Sequence, residues 1–320
     1  MIYPDNFENK IGFDDIRRLL KGRCVSSLGT AWVDSQVQFM SSHKDVVVAL
    51  KEYGEFVRLM DENCDEFEAD FFDVREPLVR LRAERTYLEE TQLFDLKRSL
   101  QTVGALVKFI EAGREADDNS DDEAGETPHR YPALQRRTEK VNAYPEIVAR
   151  IDAILNKYGK VKDTASPELL STRHQLEVTT RGIGHALRSI IAEAQSEGYI
   201  ERDVSPTLRD GRLMVPVAPA LKRKIKGIVH DESATGKTVF IEPAAVVEAN
   251  NIRELKAAER REIIRILQET ATMIRPHISG ILEAIRFLAY ADYLNALRSF
   301  SDMIGAIVPE VRPLPAMDWR

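Results

Sequence analysis

Only two of the 320 residues are cysteine, Cys24 and Cys64, and only two are tryptophan. So few cysteines fit a reducing compartment, and their separation gives neither a disulfide framework nor the close spacing of a metal knuckle. Long apolar runs are missing too: no uninterrupted stretch approaches the ~18 residues of a membrane span. The first ten residues, MIYPDNFENK, lack the basic and apolar regions of a signal peptide. These absences predict a soluble cytoplasmic chain with no membrane partner. No GxSxG or HExxH motif occurs, and the six histidines (His43, His129, His174, His185, His230 and His277) share no metal-ligand spacing. The carboxylate pairs Asp14-Asp15 and Glu89-Glu90 sit in helical segments, where helix starts and solvated faces account for them. The sequence therefore predicts no catalytic, cofactor-binding or metal-binding residues in this chain, and the chain itself is read as no enzyme.

Excess charge is also absent outside one segment. The formal net charge is −7, and residues 111–126 alone hold eight acids against one base. The remainder is neutral, so overall acidity says nothing about partners. That run has no large apolar residue and cannot bury enough surface to order itself, which predicts a mobile loop between helices.

What is present is mostly helical period. With 7% aromatic and 30% charged residues, packed helices with solvated outer faces are favoured. Leu93, Leu96, Leu100, Val103, Val107 and Ile110 form one stripe spaced by three and four. Ile147, Ile151, Ile154, Leu155 and Tyr158 follow the same rule after Pro145, and Ile278, Ile281, Leu282, Ile285, Leu288 and Leu294 repeat it. Two long segments differ. From Ser166, an N-cap followed by Pro167 at the first helical position, a helix is predicted to about Ala194. Its apolar seam is narrow: Leu169, Leu176, Ile183 and Ile190, spaced by seven. A second runs from Pro243 to about Ile274 with a heavily charged centre. The two read either as helices of a bundle or as an antiparallel two-helix stalk. Between them, residues 198–242 lose the helical period. Asp210-Gly211 between apolar flanks predicts a hairpin, and IKGIV and KTVFIE read as two more short strands about a turn. The predicted fold is thus mainly α: a helical core (1–165 and 276–320), an outgoing helix (166–197), a small antiparallel β module (198–242) and a returning helix (243–275).

Gly236, Lys237 and Thr238 resemble the end of a phosphate loop, but that motif needs a glycine where Asp231 stands and a helix where a strand is predicted. The most suggestive surface feature is the run Lys222, Arg223, Lys224 and Lys226, which with Arg209, Arg212 and Lys237 from neighbouring turns forms a candidate phosphate-contacting patch. Against it, residues 201–245 carry eight basic and six acidic residues, so a mixed solvated face explains the run as well. No aromatic set for base stacking and no recognition helix accompanies it, so any contact is to the nucleic-acid backbone.

IKGIVHDESATGKTVFIEP at 225–243, RDGRLMVPV at 209–217, KDTASPEL at 162–169 and NFENKIGFDDIRRLL at 6–20 together resemble the bacterial MutS family, specifically its second type, associated with recombination suppression and ribosome rescue. The resemblance spans essentially the whole chain. It implies a helical core, two lever helices and a β clamp that closes on nucleic acid, either branched DNA or ribosomal RNA, in a homodimer. It further implies that the family's ATPase domain, with ATP and Mg, and its nuclease-like Smr domain lie beyond residue 320, so the chain is expected to be an N-terminal piece. The acidic run at 111–126 matches nothing in the family pattern. The rival to a nucleic-acid clamp is a structural adaptor, in which the helical pair and its β tip mediate dimerisation.

Overall fold

The computed structural model of the chain describes residues 6–63, 70–112, 129–198, 207–209, 212–233, 236–244 and 249–313. Most of the predicted acidic loop, together with Cys64, Asp210 and Gly211, lies outside the described residues. The order begins with eight helices: α1 (Phe7–Lys10), α2 (Phe13–Lys21), α3 (Ser27–Gln36), α4 (His43–Asn63), α5 (Arg75–Arg80), α6 (Glu90–Ala112), α7 (Pro132–Thr138) and α8 (Pro145–Ile154). It continues with α9 (Pro167–Ser196), strands β1 (Thr207–Arg209), β2 (Arg212–Val217), β3 (Gly227–Glu232) and β4 (Val239–Pro243), then α10 (Ala249–Ile274) and α11 (Ile278–Ile304). The fold is mainly helical with one small antiparallel sheet. Two compact units result: Met1–Lys160 with Leu267–Arg320, and Val161–Ile266.

The first unit is organised around α11. This helix is apolar on nearly every side, with Ile278, Ile281, Ile285, Leu288 and Leu294 buried together with Ala284, Ala291 and Ala296, and a helix of that kind belongs inside a core. It packs against α2, α3, α4, α5 and α6. Its one buried acid, Asp292, is fully enclosed and serves the start of α3. The Asp292 carboxyl accepts from the Val25 amide (2.8 Å), the Ser26 amide (3.0 Å), the Ser26 hydroxyl (2.6 Å) and the Gly29 amide (3.2 Å). A helix start leaves its first amides without intrahelical partners, so a side chain from a distant helix here completes the cap that Ser26 begins with its own bond to Leu28. Gly29 makes room for it: a Cβ there would stand 2.4 Å from the Asp292 Oδ2.

The predicted stripe of α6 is observed, with Leu93, Leu96, Leu100, Val103 and Ile110 buried. Pro145 opens α8 as expected. The predicted continuation through Leu155 and Tyr158 is corrected: α8 ends at Ile154, Leu155 is extended, and Tyr158 is 74% exposed. The chain instead turns on Asn156, whose side-chain carbonyl accepts from the Tyr158 and Lys160 amides. The returning helix also starts later than predicted, because Pro243 is taken into β4 opposite Gly227.

Replacing Asp292 with alanine removes the acceptor shared by the Val25, Ser26 and Gly29 amides and the Ser26 hydroxyl and is expected to cost about 2 kcal/mol or more, since a buried donor left unpaired costs about 1–3 kcal/mol. Gly29→Ala is expected to destabilise through the same contact. Urea unfolding of each variant measures both; a loss below about 1 kcal/mol for Asp292→Ala would contradict the capping role.

Candidate nucleic-acid interface

The second unit begins at a cap. The Ser166 hydroxyl accepts from the Leu169 amide (3.0 Å) and donates to Glu262 of α10 (2.6 Å), while Pro167 fills the first position of α9. Glu262 is buried and takes two further bonds from Arg265, at 2.7 and 2.6 Å. Arg265 beside it is the main reason its carboxyl is held down at about 2, well below the ordinary 4.5; burial opposes the shift and Ser166 assists it. One turn farther along, Arg173 reaches Glu259 (2.7 Å) and the Val161 carbonyl (2.9 Å). At the other end of α9, Ile190, Ile191 and Ala194 share an apolar cluster with Ile252. Contacts that rise along α9 as they fall along α10 mean that the two helices run antiparallel. Between Leu169 and Ala194 no described side chain of α9 is buried, as its narrow seam requires.

That same cluster is the inner face of the sheet: Val215, Val217, Val239 and Ile241 with Ile225. Strand order is β1-β2-β4-β3, with Val215 opposite Ile241 and Gly227 opposite Pro243. Strands β2 and β3 flank β4 and run parallel to each other, so the segment 218–226 must cross from one end of β4 to the other. It is pinned by Leu221, packed against the cluster, and by Ile225, buried in it. The residues between these anchors, Lys222, Arg223 and Lys224, are exposed, as is Lys226. Lys222, Arg223, Lys226 and Lys237 make no ion pair among the described residues.

The sequence-predicted patch is only partly brought together. Lys226 lies level with Ala244, whose amide bonds its carbonyl (2.8 Å). Arg209 and Arg212 face each other across the first hairpin, and the β2–β4 register continued back from Val215 puts Arg212 at that same end. The side chains of Arg209 and Arg212 lie outside the described residues. Lys237 sits in the β3–β4 turn at the opposite end, about 17 Å of strand away at ~3.3 Å per residue. Gly236 adopts φ +66° in that turn, a conformation that suits glycine. Its amide bonds the Ser233 carbonyl (2.7 Å) and the Thr238 amide bonds the Ser233 hydroxyl (3.0 Å). These donors are spent within the turn and a strand follows, so the Gly236–Thr238 triplet is a hairpin and no phosphate cradle.

Sequence reasoning missed several features. Gly227 passes so close to β4 that a Cβ would stand 2.2 Å from the Glu242 carbonyl oxygen. A bulge between Val229 and Asp231 re-aims His230 toward the buried Glu242 carboxyl at 2.5 Å. The isoleucine at 225 was legible only as part of a strand, and nothing local marks it as an anchor. Among the described residues no group of three or more histidines, cysteines and acids is arranged to hold a metal. Burial, with Asp292 adding to it, pushes the Cys24 thiol up to about 11, so it stays protonated at neutral pH.

Because the Glu262 carboxyl titrates lower in the folded chain than in the unfolded one, its contribution is fully present above about 4.5 and is lost as pH falls toward 2. Glu262→Gln is therefore expected to flatten the loss of stability across that window, as read by thermal unfolding at stepped pH. An unchanged acid limb in the variant would remove Glu262 from this role.

No family model matches the chain. Curated proteins do, and several are named Endonuclease MutS2. The one from Geobacillus sp. (strain WCH70) is 33% identical over 299 residues, covering 93% of this chain and 36% of the relative. That from Thermomicrobium roseum is 30% identical over 300 residues with the same coverage, and that from Pelotomaculum thermopropionicum is 36% identical over 191 residues, 59% of this chain and 24% of the relative. The chain thus spans little more than a third of the length of the curated relatives it matches. With that likeness running through nearly all of its residues, the chain belongs to the MutS2 family, the second type of bacterial MutS.

Proposed function

We propose that this chain is the core, lever and clamp region of a MutS2 protein, and that residues 198–242 form a clamp that contacts the sugar-phosphate backbone of nucleic acid. On this reading α9 and α10 are the levers. The observation that carries it is the crossing segment 218–226: two apolar anchors, Leu221 and Ile225, hold Lys222, Arg223 and Lys224 out to solvent. Lysine and arginine presented this way neutralise phosphates without reading base edges. Lys226, Arg209, Arg212 and Lys237 extend the contact around the sheet. The relatives' name, Endonuclease MutS2, supports a nucleic-acid partner. Branched DNA, in suppression of recombination and repair, and ribosomal RNA on stalled ribosomes both suit a backbone-directed clamp. ATP with Mg and nuclease chemistry are proposed to reside outside these residues, in a homodimer.

Substituting alanine at Lys222, Arg223, Lys224 and Lys226 together is expected to lower the magnitude of the slope of log K against log salt by up to ~3–4, since each lost phosphate contact removes about 0.9. The loss should be alike for unrelated duplexes and measurable by fluorescence anisotropy, on the chain and in a full-length MutS2 background. An unchanged slope with the fold intact would favour a dimerisation module instead.

A further inference from the structure

The first unit carries an open cleft of about 740 Å³, within the range of small-molecule sites. Four helices supply its main side chains. Trp32 comes from α3 and Tyr53 from α4. Arg286, Tyr290 and Tyr293 come from one face of α11, and Arg137 closes the wall from α7. The aromatic rings form a continuous wall: Trp32 and Tyr290 are 5.1 Å apart between centroids, Tyr290 and Tyr293 6.1 Å.

Charge accounting decides what such a cavity takes. Its deepest acid, Glu52, is 3% exposed and already spent. It accepts from Arg137 Nε (2.8 Å) and Nη2 (3.1 Å) and from the Tyr290 hydroxyl (2.6 Å), so its charge is already balanced by a guanidinium and does not call for a cationic guest. Arg137 keeps Nη1 unbonded among the described residues and lies over the Tyr290 ring at 4.9 Å. Arg286 is exposed, lies 6.0 Å over Trp32, and has no ion pair among the described residues. A guanidinium laid over an aromatic ring keeps its in-plane N–H donors for a planar or tetrahedral anion. The other acid lining the cavity, Asp302, is sixteen positions beyond Arg286 on α11, ~24 Å along the axis at ~1.5 Å per residue. One end of the cavity is thus cationic and aromatic together. Burial keeps the Tyr290 and Tyr293 phenols protonated, so neither adds a negative charge to the wall.

We propose that this cavity is a binding site for a small aromatic anion, its charged group held by Arg286 and Arg137 and its ring set against the Trp32–Tyr290–Tyr293 wall. The site lies in a different unit from the basic crossing segment and stands independently of the clamp reading.

The test uses the indole of Trp32 as reporter in the full 320-residue chain carrying Trp319→Phe. Guanosine monophosphate, ribose 5-phosphate and inorganic phosphate are titrated in turn, with calorimetry alongside. Saturable quenching by the nucleotide is expected, with affinity at least tenfold weaker in Arg286→Ala and partly restored in Arg286→Lys, while ribose 5-phosphate binds more weakly for want of a ring. Arg286 is exposed, so loss of fold is not expected, and circular dichroism checks it. No saturation up to millimolar nucleotide, equal affinity in Arg286→Ala, or equal affinity for inorganic phosphate would each overturn the proposal. Clamp binding of duplexes is untouched by any of these outcomes.

Discussion

The bond between the Ser166 hydroxyl and Glu262 joins the start of α9 to the body of α10, and the rest of the second unit hangs from it. Both partners are buried, and a buried carboxyl is tolerable only where its oxygens are used. Arg265 uses them, and Ser166 at once satisfies the acid and caps its own helix. Beyond this joint neither helix has the apolar surface to bury its middle. Past the Arg173–Glu259 pair one turn on, the next apolar contact described is the cluster of Ile190, Ala194 and Ile252 with the sheet. Hence the long helices are held at their two ends, and the basic segment 218–226 is anchored at one of them.

Local signals were legible wherever a short stretch of chain decides its own conformation. The Ser166-Pro167 helix start, the α6 stripe, the hairpin flanking Asp210-Gly211 and the glycine turn at Gly236 follow from neighbours a few residues apart. The absence of a phosphate loop at Gly236 follows in the same way, because the strand after Thr238 is written in its own β-branched and aromatic residues. Helix ends were less legible. The spacing that ran on to Tyr158 ignored the Asn-Lys-Tyr-Gly turn, and the helix drawn from Pro243 lost that residue to its pairing with Gly227.

What stayed hidden depends on partners far apart in sequence. Asp292 and Ser26 are separated by 266 positions and Glu52 and Tyr290 by 238. Nothing near Asp292 marks it as a cap for α3, and nothing near Gly29 announces the carboxyl it must admit. The aromatic wall of the cavity is likewise assembled from two helices far apart in the chain, Trp32 on α3 and Tyr290 and Tyr293 on α11. The basic run was visible as a run, but only the sheet register separates Lys226 from Lys237.

That no described side chain in the middle of α9 is buried has a consequence for how the molecule breathes. Amide hydrogens at the capped start, near Leu169, and beside the cluster, near Ala194, are released to solvent only when packed neighbours separate. Those between them need only a local unwinding of one helix, because no described side chain there is buried. Deuterium should therefore enter α9 from its centre outward, the reverse of the fraying from the ends that an isolated helix displays.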